Sequence, residues 1–194
     1  MNHLQKDGSE QIVYEGKIFE IIKQSMKAGD KKIVIEIARR SPGTRLIVVK
    51  NDKMLITKEF RSEINGYDYR LPGGKVFDTL TEYNMHRTEN ILPFAIEAAK
   101  RECKEEIGLI ATKIKHFATA QSGATVVWDL FYFIIDEFKE NTNGQELETG
   151  EVIEVEWKSF NEVKELCKNG NISEDRTLGI LFKFFLQYPE KYVY

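Results

Sequence analysis

Cysteine is scarce in this chain: its 194 residues include two, Cys103 and Cys167. They stand far apart and match no metal-ligand spacing, which excludes a zinc ribbon or a disulfide framework and suits free thiols in a reducing, cytoplasmic setting. Long hydrophobic runs are missing too. The stretch from Leu130 to Ile135 is among the longest, and it is too short to cross a bilayer, so no membrane partner is expected. The opening Met-Asn-His-Leu-Gln-Lys-Asp-Gly is polar and lacks the apolar centre of a secretion signal. Basic charge is not in excess: 28 Lys and Arg against 31 Asp and Glu leave a net charge of -3, which argues against a nucleic-acid-binding surface. Neither an internal repeat nor a low-complexity segment is present. What remains is an ordinary globular composition, 42% hydrophobic, of a size for one domain or one domain with a small appendage.

The first part of the chain reads as strands. Tyr14 to Met26 carries Ile18, Ile21 and Ile22 among polar residues. Ala28-Gly29-Asp30-Lys31 has turn chemistry, and Lys32 to Ala38 alternates with Ile33, Ile35 and Ile37 on one side. After a Ser-Pro-Gly turn at 41 to 43 come Leu46 to Lys50, Met54 to Phe60 and a short strand at Tyr67 to Leu71. Strands gathered before any helix exclude a doubly wound layout and predict an α+β fold with a mixed sheet. Leu71-Pro72-Gly73-Gly74-Lys75-Val76 follows, where two glycines let the backbone come close to a neighbour or simply make a tight turn. Phe77 to Asn90 shows no clean periodicity and is expected to be a long loop. A helix is predicted from about Ile91, capped by Asn90 or Thr88, with Pro93 in its first turn and Leu92, Ile96, Ala99, Cys103 and Ile107 as its apolar stripe. Strands at 112–120, 125–135 and 152–157 and helices at 159–168 and from Ser173 complete the chain.

That helix carries the chemistry. Glu102, Glu105 and Glu106 stand at i, i+3 and i+4, which is one helical face, about a quarter-turn from the apolar stripe. Gly108 is placed to end the helix, and Arg101 is placed to pair with Glu105. Three carboxylates on a rigid element suit a hard divalent cation such as Mg²⁺ or Mn²⁺; in isolation they would more often be a solvated acidic surface.

Gly73-Gly74 followed downstream by Arg-Glu-Cys-Lys-Glu-Glu-Ile-Gly-Leu at 101–109 resembles the Nudix hydrolase box. The second half of that box, Arg-Glu-apolar-any-Glu-Glu-any-Gly-apolar, is matched throughout, with Cys103 in the apolar slot. The first half departs from it. Gly74 and Arg101 are 27 positions apart where the box spaces them 14 apart, so the loop is 13 residues longer. The slot of the box's first glutamate holds Pro93, and Glu82, Glu89 and Glu97 are the candidates to replace it. Outside the box the chain is most similar to the ADP-ribose pyrophosphatase branch, from about Val13 to about Phe185. The similarity rests on Tyr14-Glu15-Gly16-Lys17, Glu59-Phe60-Arg61, the Gly-Gly loop, Gln121-Ser122-Gly123 and Ile172 to Thr177. Arg70 stands where that branch usually has an acidic residue, and Gly73 where it favours Ala.

The resemblance implies an α/β/α sandwich with a mixed sheet, divided into an N-terminal antiparallel β unit at 1–42 and a hydrolase domain at 43–194 with a lengthened loop at 77–92. It implies a Mg²⁺-dependent (or Mn²⁺-dependent) hydrolase splitting ADP-ribose into AMP and ribose 5-phosphate. The alternatives are another sugar nucleotide or a nucleoside triphosphate as substrate, or a nucleotide-sensing domain without catalysis. Glu102 and Glu106 are the expected direct metal ligands, with Glu105 next and a carbonyl of the Gly73 loop in addition. Arg101 would orient the glutamates, and a general base would come from Glu146, Glu148 or Glu151. Arg61 and Arg70 are candidates to grip phosphate, Gly74 to let substrate approach, and Phe19, Tyr67 or Tyr69 to stack on adenine. The loop at 77–92, with Tyr83, His86 and Arg87, would be a lid or a surface insertion. A homodimer through the leading β unit is the expected assembly.

Overall fold

The computed structural model describes residues 3–188; Met1, Asn2 and the residues from 189 to 194, which belong to the expected N- and C-terminal units, lie outside the described residues. The elements in chain order are β1 (Gln5–Lys6), β2 (Gln11–Glu15), β3 (Phe19–Ala28), β4 (Lys31–Arg40), β5 (Gly43–Lys50), β6 (Lys53–Arg61), β7 (Gly66–Arg70), α1 (Leu80–His86), α2 (Leu92–Ile107), β8 (Leu109–Ala120), β9 (Val126–Val127), β10 (Leu130–Glu140), β11 (Ile153–Ser159), α3 (Phe160–Lys168) and α4 (Asp175–Gln187). The expected α+β fold with mixed sheets is what forms, with helices on both faces of the larger sheet.

That sheet runs β11-β6-β5-β10-β8, with β7 also on β6, and its β5–β10 pair is parallel while the others are antiparallel. Strand alternation divides the core in two, because successive side chains point to opposite faces. Leu46, Val48, Leu55, Phe131, Phe133 and Ile135 face α1 and α2. Ile47, Val49, Met54, Ile56, Tyr132 and Ile134 face α3 and α4. The strand predicted over 125–135 is broken at Trp128 and Asp129: its first piece, β9, pairs in parallel with β4 of the leading sheet, and its second becomes β10.

β5 and β6 are paired only beside their hairpin, at Val49–Met54 and Lys50–Lys53, and then diverge. The Gly-Gly loop occupies the edge of β5 that this divergence leaves open. Leu46 and Thr44 donate backbone N–H bonds to the carbonyls of Pro72 and Gly74 (2.8 Å each), and Val76 donates to Pro42 (2.9 Å). A paired backbone is thus placed at the sheet edge, facing α2.

In the leading sheet Ile33 is exposed, whereas Glu20, Gln24 and Arg39 are buried beside Ile22. The reason is electrostatic. Arg39 pairs with Glu20 and with Glu10 (2.8 Å), and Asn84 and Arg87 of the α1 region reach the same two carboxylates. A charge removed from water needs a partner, and these residues satisfy one another. The stretch at 77–92, expected as a long loop, contains α1. Thr79 caps it by accepting from Glu82 N–H (3.1 Å), and Phe77, Leu80 and Tyr83 are buried in the α2-side core. His86 stacks on Phe77 at 5.7 Å and contacts Glu89 at 3.0 Å, away from any chemistry.

Because Leu80 is 5% exposed within this core, Leu80→Ala is expected to lower unfolding stability by about 2–4 kcal/mol in urea titration. A loss under about 0.5 kcal/mol would mark 77–92 as a loosely held surface insertion.

Candidate active site

α2 begins at Pro93 in its first turn, where a missing N–H is harmless, and Asn90 Oδ1 accepts from Leu92 N–H at 3.2 Å. Ala95, Ala98, Ala99, Cys103 and Ile107 bury one side of the helix. The small alanines let it sit close to the sheet, and the adjacent side delivers Glu102, Glu105 and Glu106 to a cavity of about 260 Å³, shared with Gly74, Lys75, Asp78, Arg101, Glu148 and Glu151. Gly108 ends the helix in the left-handed region at φ 65°.

The glutamates meet the Gly-Gly loop directly. Gly73 N–H donates to Glu106 Oε2 at 2.6 Å. A Cβ on Gly74 would overlap the Glu102 carboxylate, and Gly73 at φ 140° would drive one into the Thr44 carbonyl. Gly73 is therefore required both by close approach to backbone and by its own backbone conformation, whereas a side chain at Gly74 would push the Glu102 carboxylate aside. Arg101 donates to the Lys75 carbonyl (3.0 Å) and to Glu102 (3.3 Å) and lies 3.7 Å from Glu105. Burial pushes the Glu102 carboxyl up to about 7, against the pull of Arg101 and with help from Glu105 and Glu151. Burial likewise pushes Glu106 up to about 8, against the Gly73 N–H bond and with help from Glu102.

The donors fit a hard divalent cation: all are oxygens, and Gly74 leaves open the space beside Glu102 that a side chain would fill. Among the described residues no three His, Cys, Asp or Glu side chains already gather around one point. Glu102 is drawn toward Arg101 and Glu106 toward Gly73, so each carboxylate is held by a partner within the protein.

The loop after β10 is fastened to the end of α2. Asn141 N–H donates to the Gly108 carbonyl (2.8 Å), Glu146 N–H to the Glu105 carbonyl (2.8 Å) and the Gln145 side chain to the Glu106 carbonyl (2.6 Å). Glu148 and Glu151 are thereby brought to the cavity, tied to each other by the Glu148 N–H bond to Glu151 Oε2 (3.0 Å). Glu146 is not: it is held by Lys104 (2.8 Å) and Asn141 (3.0 Å) outside the cavity lining. None of the three candidates for the box's missing glutamate reaches the cavity either. Glu82 turns back on Asp78 N–H, Glu89 meets His86 and Glu97 meets Lys100. Asp78, which sequence reasoning missed, is the acidic residue that the lengthened segment supplies.

A second cavity, of about 340 Å³, adjoins the first across Gly74, Lys75, Glu106 and Glu151. Arg40, Arg45, Arg61 and Arg70 line it, with Gly73, Glu59 and Trp128. The two predicted phosphate grippers are therefore here, but Arg61 is paired with Glu59 (3.1 Å) and Glu63 (2.8 Å), and Arg70 with Asp68 (3.3 Å). Phe19 lies on the leading sheet beside Tyr14 and lines neither cavity. Tyr67 packs edge-on against Phe60 and Tyr69 joins the α3–α4 core, so neither lines them. Trp128, at the strand break, is the aromatic residue brought to the site.

An acidic helix face locked to a Gly-Gly turn thus lies next to an arginine-lined cavity. The NUDIX domain family matches residues 40–178, and the chain belongs to the Nudix family of pyrophosphohydrolases, which typically use a divalent metal and nucleotide-type substrates. No curated protein matches the chain. Among solved structures it is similar to the crystal structure of an ADP compounds hydrolase, at 16% identity over 98% of each chain with a TM-score of 0.75, a likeness of fold. No helix among the described residues is long and apolar enough to cross a membrane.

Two carboxyls that hold protons above the ordinary glutamate value stabilise the fold fully below about pH 4.5 and lose that contribution as pH rises through about 7 and about 8. The metal-free melting temperature is expected to fall between about pH 5 and about pH 9, less steeply in Glu106→Gln. A profile that is flat or rises over this range in the parent protein would refute the buried carboxyl pair.

Proposed function

We propose that this protein is a Mg²⁺-dependent (or Mn²⁺-dependent) hydrolase that cleaves ADP-ribose to AMP and ribose 5-phosphate. The observation that carries the reading is the contact between the glutamate face of α2 and Gly73-Gly74, at the seam of an acidic and an arginine-lined cavity. A pyrophosphate at that seam would have its charge offset by the arginines on one side and by a cation held on the glutamates on the other. The ADP compounds hydrolase of similar fold supports the choice of substrate.

Glu102 and Glu106 would hold the metal, with Glu105 and a carbonyl of the Gly73 loop beside them; bound there, the ion would neutralise phosphate charge and acidify a water. Arg101 keeps Glu102 and Glu105 in place. Glu151 is our choice of general base, since it lines both cavities whereas Glu148 lines only the acidic one. Arg61 and Arg70 would shape the arginine side of the substrate site, and Gly74 would admit substrate to the backbone. In this reading 1–42 is a leading β unit and 43–194 the hydrolase domain. The exposed Ile12, Val13, Ile33 and Val34 of the leading sheet support its use as a homodimer contact.

Incubation with ADP-ribose and Mg²⁺ is expected to yield AMP and ribose 5-phosphate by chromatography; turnover of only a sugar nucleotide or a nucleoside triphosphate would replace the substrate, and no turnover would sink the enzyme reading. Glu106→Gln is expected to abolish turnover. Glu151→Gln should lower kcat by about 10²–10⁴-fold at unchanged melting temperature. Glu146→Gln should leave kcat within about twofold, and a loss matching that of Glu151→Gln would overturn the choice of base.

A further inference from the structure

Four arginines line the second cavity, and their partners distinguish them. Arg45 is held by both oxygens of Glu174 (2.9 and 3.0 Å), Arg61 by Glu59 and Glu63, and Arg70 by Asp68. Arg40 has no such carboxylate among the described residues, and its Nε is buried without a hydrogen-bond partner. What holds it is Trp128, whose ring centroid lies 4.1 Å from the Arg40 guanidinium carbon. The indole is itself positioned by Arg176, whose guanidinium lies 4.0 Å from the same centroid and donates to the Trp128 carbonyl (2.6 Å) and to Ser122 Oγ (2.9 Å).

An unpartnered guanidinium near two other arginines is unfavourable: burial, Arg45 and Arg176 all push Arg40 below its usual range. Stacking offsets part of this, at about 0.5–2 kcal/mol per cation–π contact, and leaves the N–H edge free. Such an arrangement favours an anion that can accept two hydrogen bonds from the guanidinium fork, such as a phosphate, entering from the cavity.

We infer that Arg40, held flat by Trp128, is the residue that binds the substrate phosphate on the arginine side of the site, in place of the internally paired Arg61 and Arg70. The ligand class is a diphosphate ester, and the inference rests on the hydrolase reading above for which ester it is. Arg40 also determines specificity: a substrate with one phosphate can reach the glutamates or Arg40, whereas a diphosphate can span both.

The test is calorimetric titration of ADP and of inorganic pyrophosphate, each with Mg²⁺, into the parent protein, Arg40→Gln, Arg40→Lys and Arg61→Gln. Arg40→Gln is expected to weaken both ligands by about 10- to 100-fold, and Arg61→Gln by less than about threefold. Arg40→Lys, which keeps charge but not the planar stack, should resemble Arg40→Gln. The melting temperature of Arg40→Gln should equal or exceed the parent's, because an unpartnered charge is removed; a purely structural arginine would move it down. The reverse ranking of Arg40 and Arg61, or no binding of either ligand by the parent, would overturn the inference. ADP-ribose turnover with an unchanged KM in Arg40→Gln would overturn it and leave the hydrolase reading intact. Arg40-dependent pyrophosphate binding without turnover of any nucleoside diphosphate would do the opposite.

Discussion

Like charges brought together out of water are the constraint on which this structure turns. Glu102 and Glu106 are one helical turn apart and largely buried; burial raises the proton affinity of both, Glu105 and Glu151 add to it at Glu102, and Glu102 adds to it at Glu106. The fold meets that cost with three local devices: the Arg101 guanidinium beside Glu102, the Gly73 N–H on Glu106, and a Gly74 with no Cβ to press on the carboxylate. Each device depends on something larger. The Gly-Gly loop is held in place because β5 and β6 diverge and leave an edge to pair with, and α2 sits close because its buried side is mostly alanine.

Charge around the seam is segregated. Carboxylates from α2, the 77–92 segment and the loop after β10 gather on one side, and arginines from β4, β5, β6 and β7 on the other. The basic side is mostly self-neutralised. Glu174, at the start of α4, grips Arg45 and accepts from Thr177 Oγ1 (2.6 Å), which in turn contacts the buried Tyr132 hydroxyl (3.0 Å). That chain of polar contacts ties the C-terminal helix to the cavity wall and keeps Arg45 from competing for ligand. Trp128 plays the corresponding part for Arg40, but through stacking, which holds the group without consuming its donors.

The 77–92 segment shows how an insertion is absorbed. A loop 13 residues longer than the box pattern would be a liability if it hung in solvent. Here Phe77, Leu80 and Tyr83 extend the α2-side core, and Asn84 and Arg87 lock onto the Glu10–Glu20–Arg39 cluster of the leading sheet. A short helix with two buried residues, Leu80 and Tyr83, produces too little periodic signal to stand out in sequence. Its polar anchors on the leading sheet, Glu20 and Glu10, lie more than sixty residues away in the chain.

Sequence alone determined the helix at 92–107, its glutamate face, its glycine stop and the Gly-Gly turn, because helical spacing and close backbone approach are local properties that residue types state directly. It also bounded the fold class through the order of strands and helices. Which loop glutamates reach the site, which arginines are spent on internal carboxylates, and that Trp128 interrupts a strand to stack on Arg40 were decided only by tertiary structure. Those outcomes depend on pairing between residues distant in the chain, such as Lys104 with Glu146 and Arg45 with Glu174, and nothing in either residue's own neighbourhood records its partner.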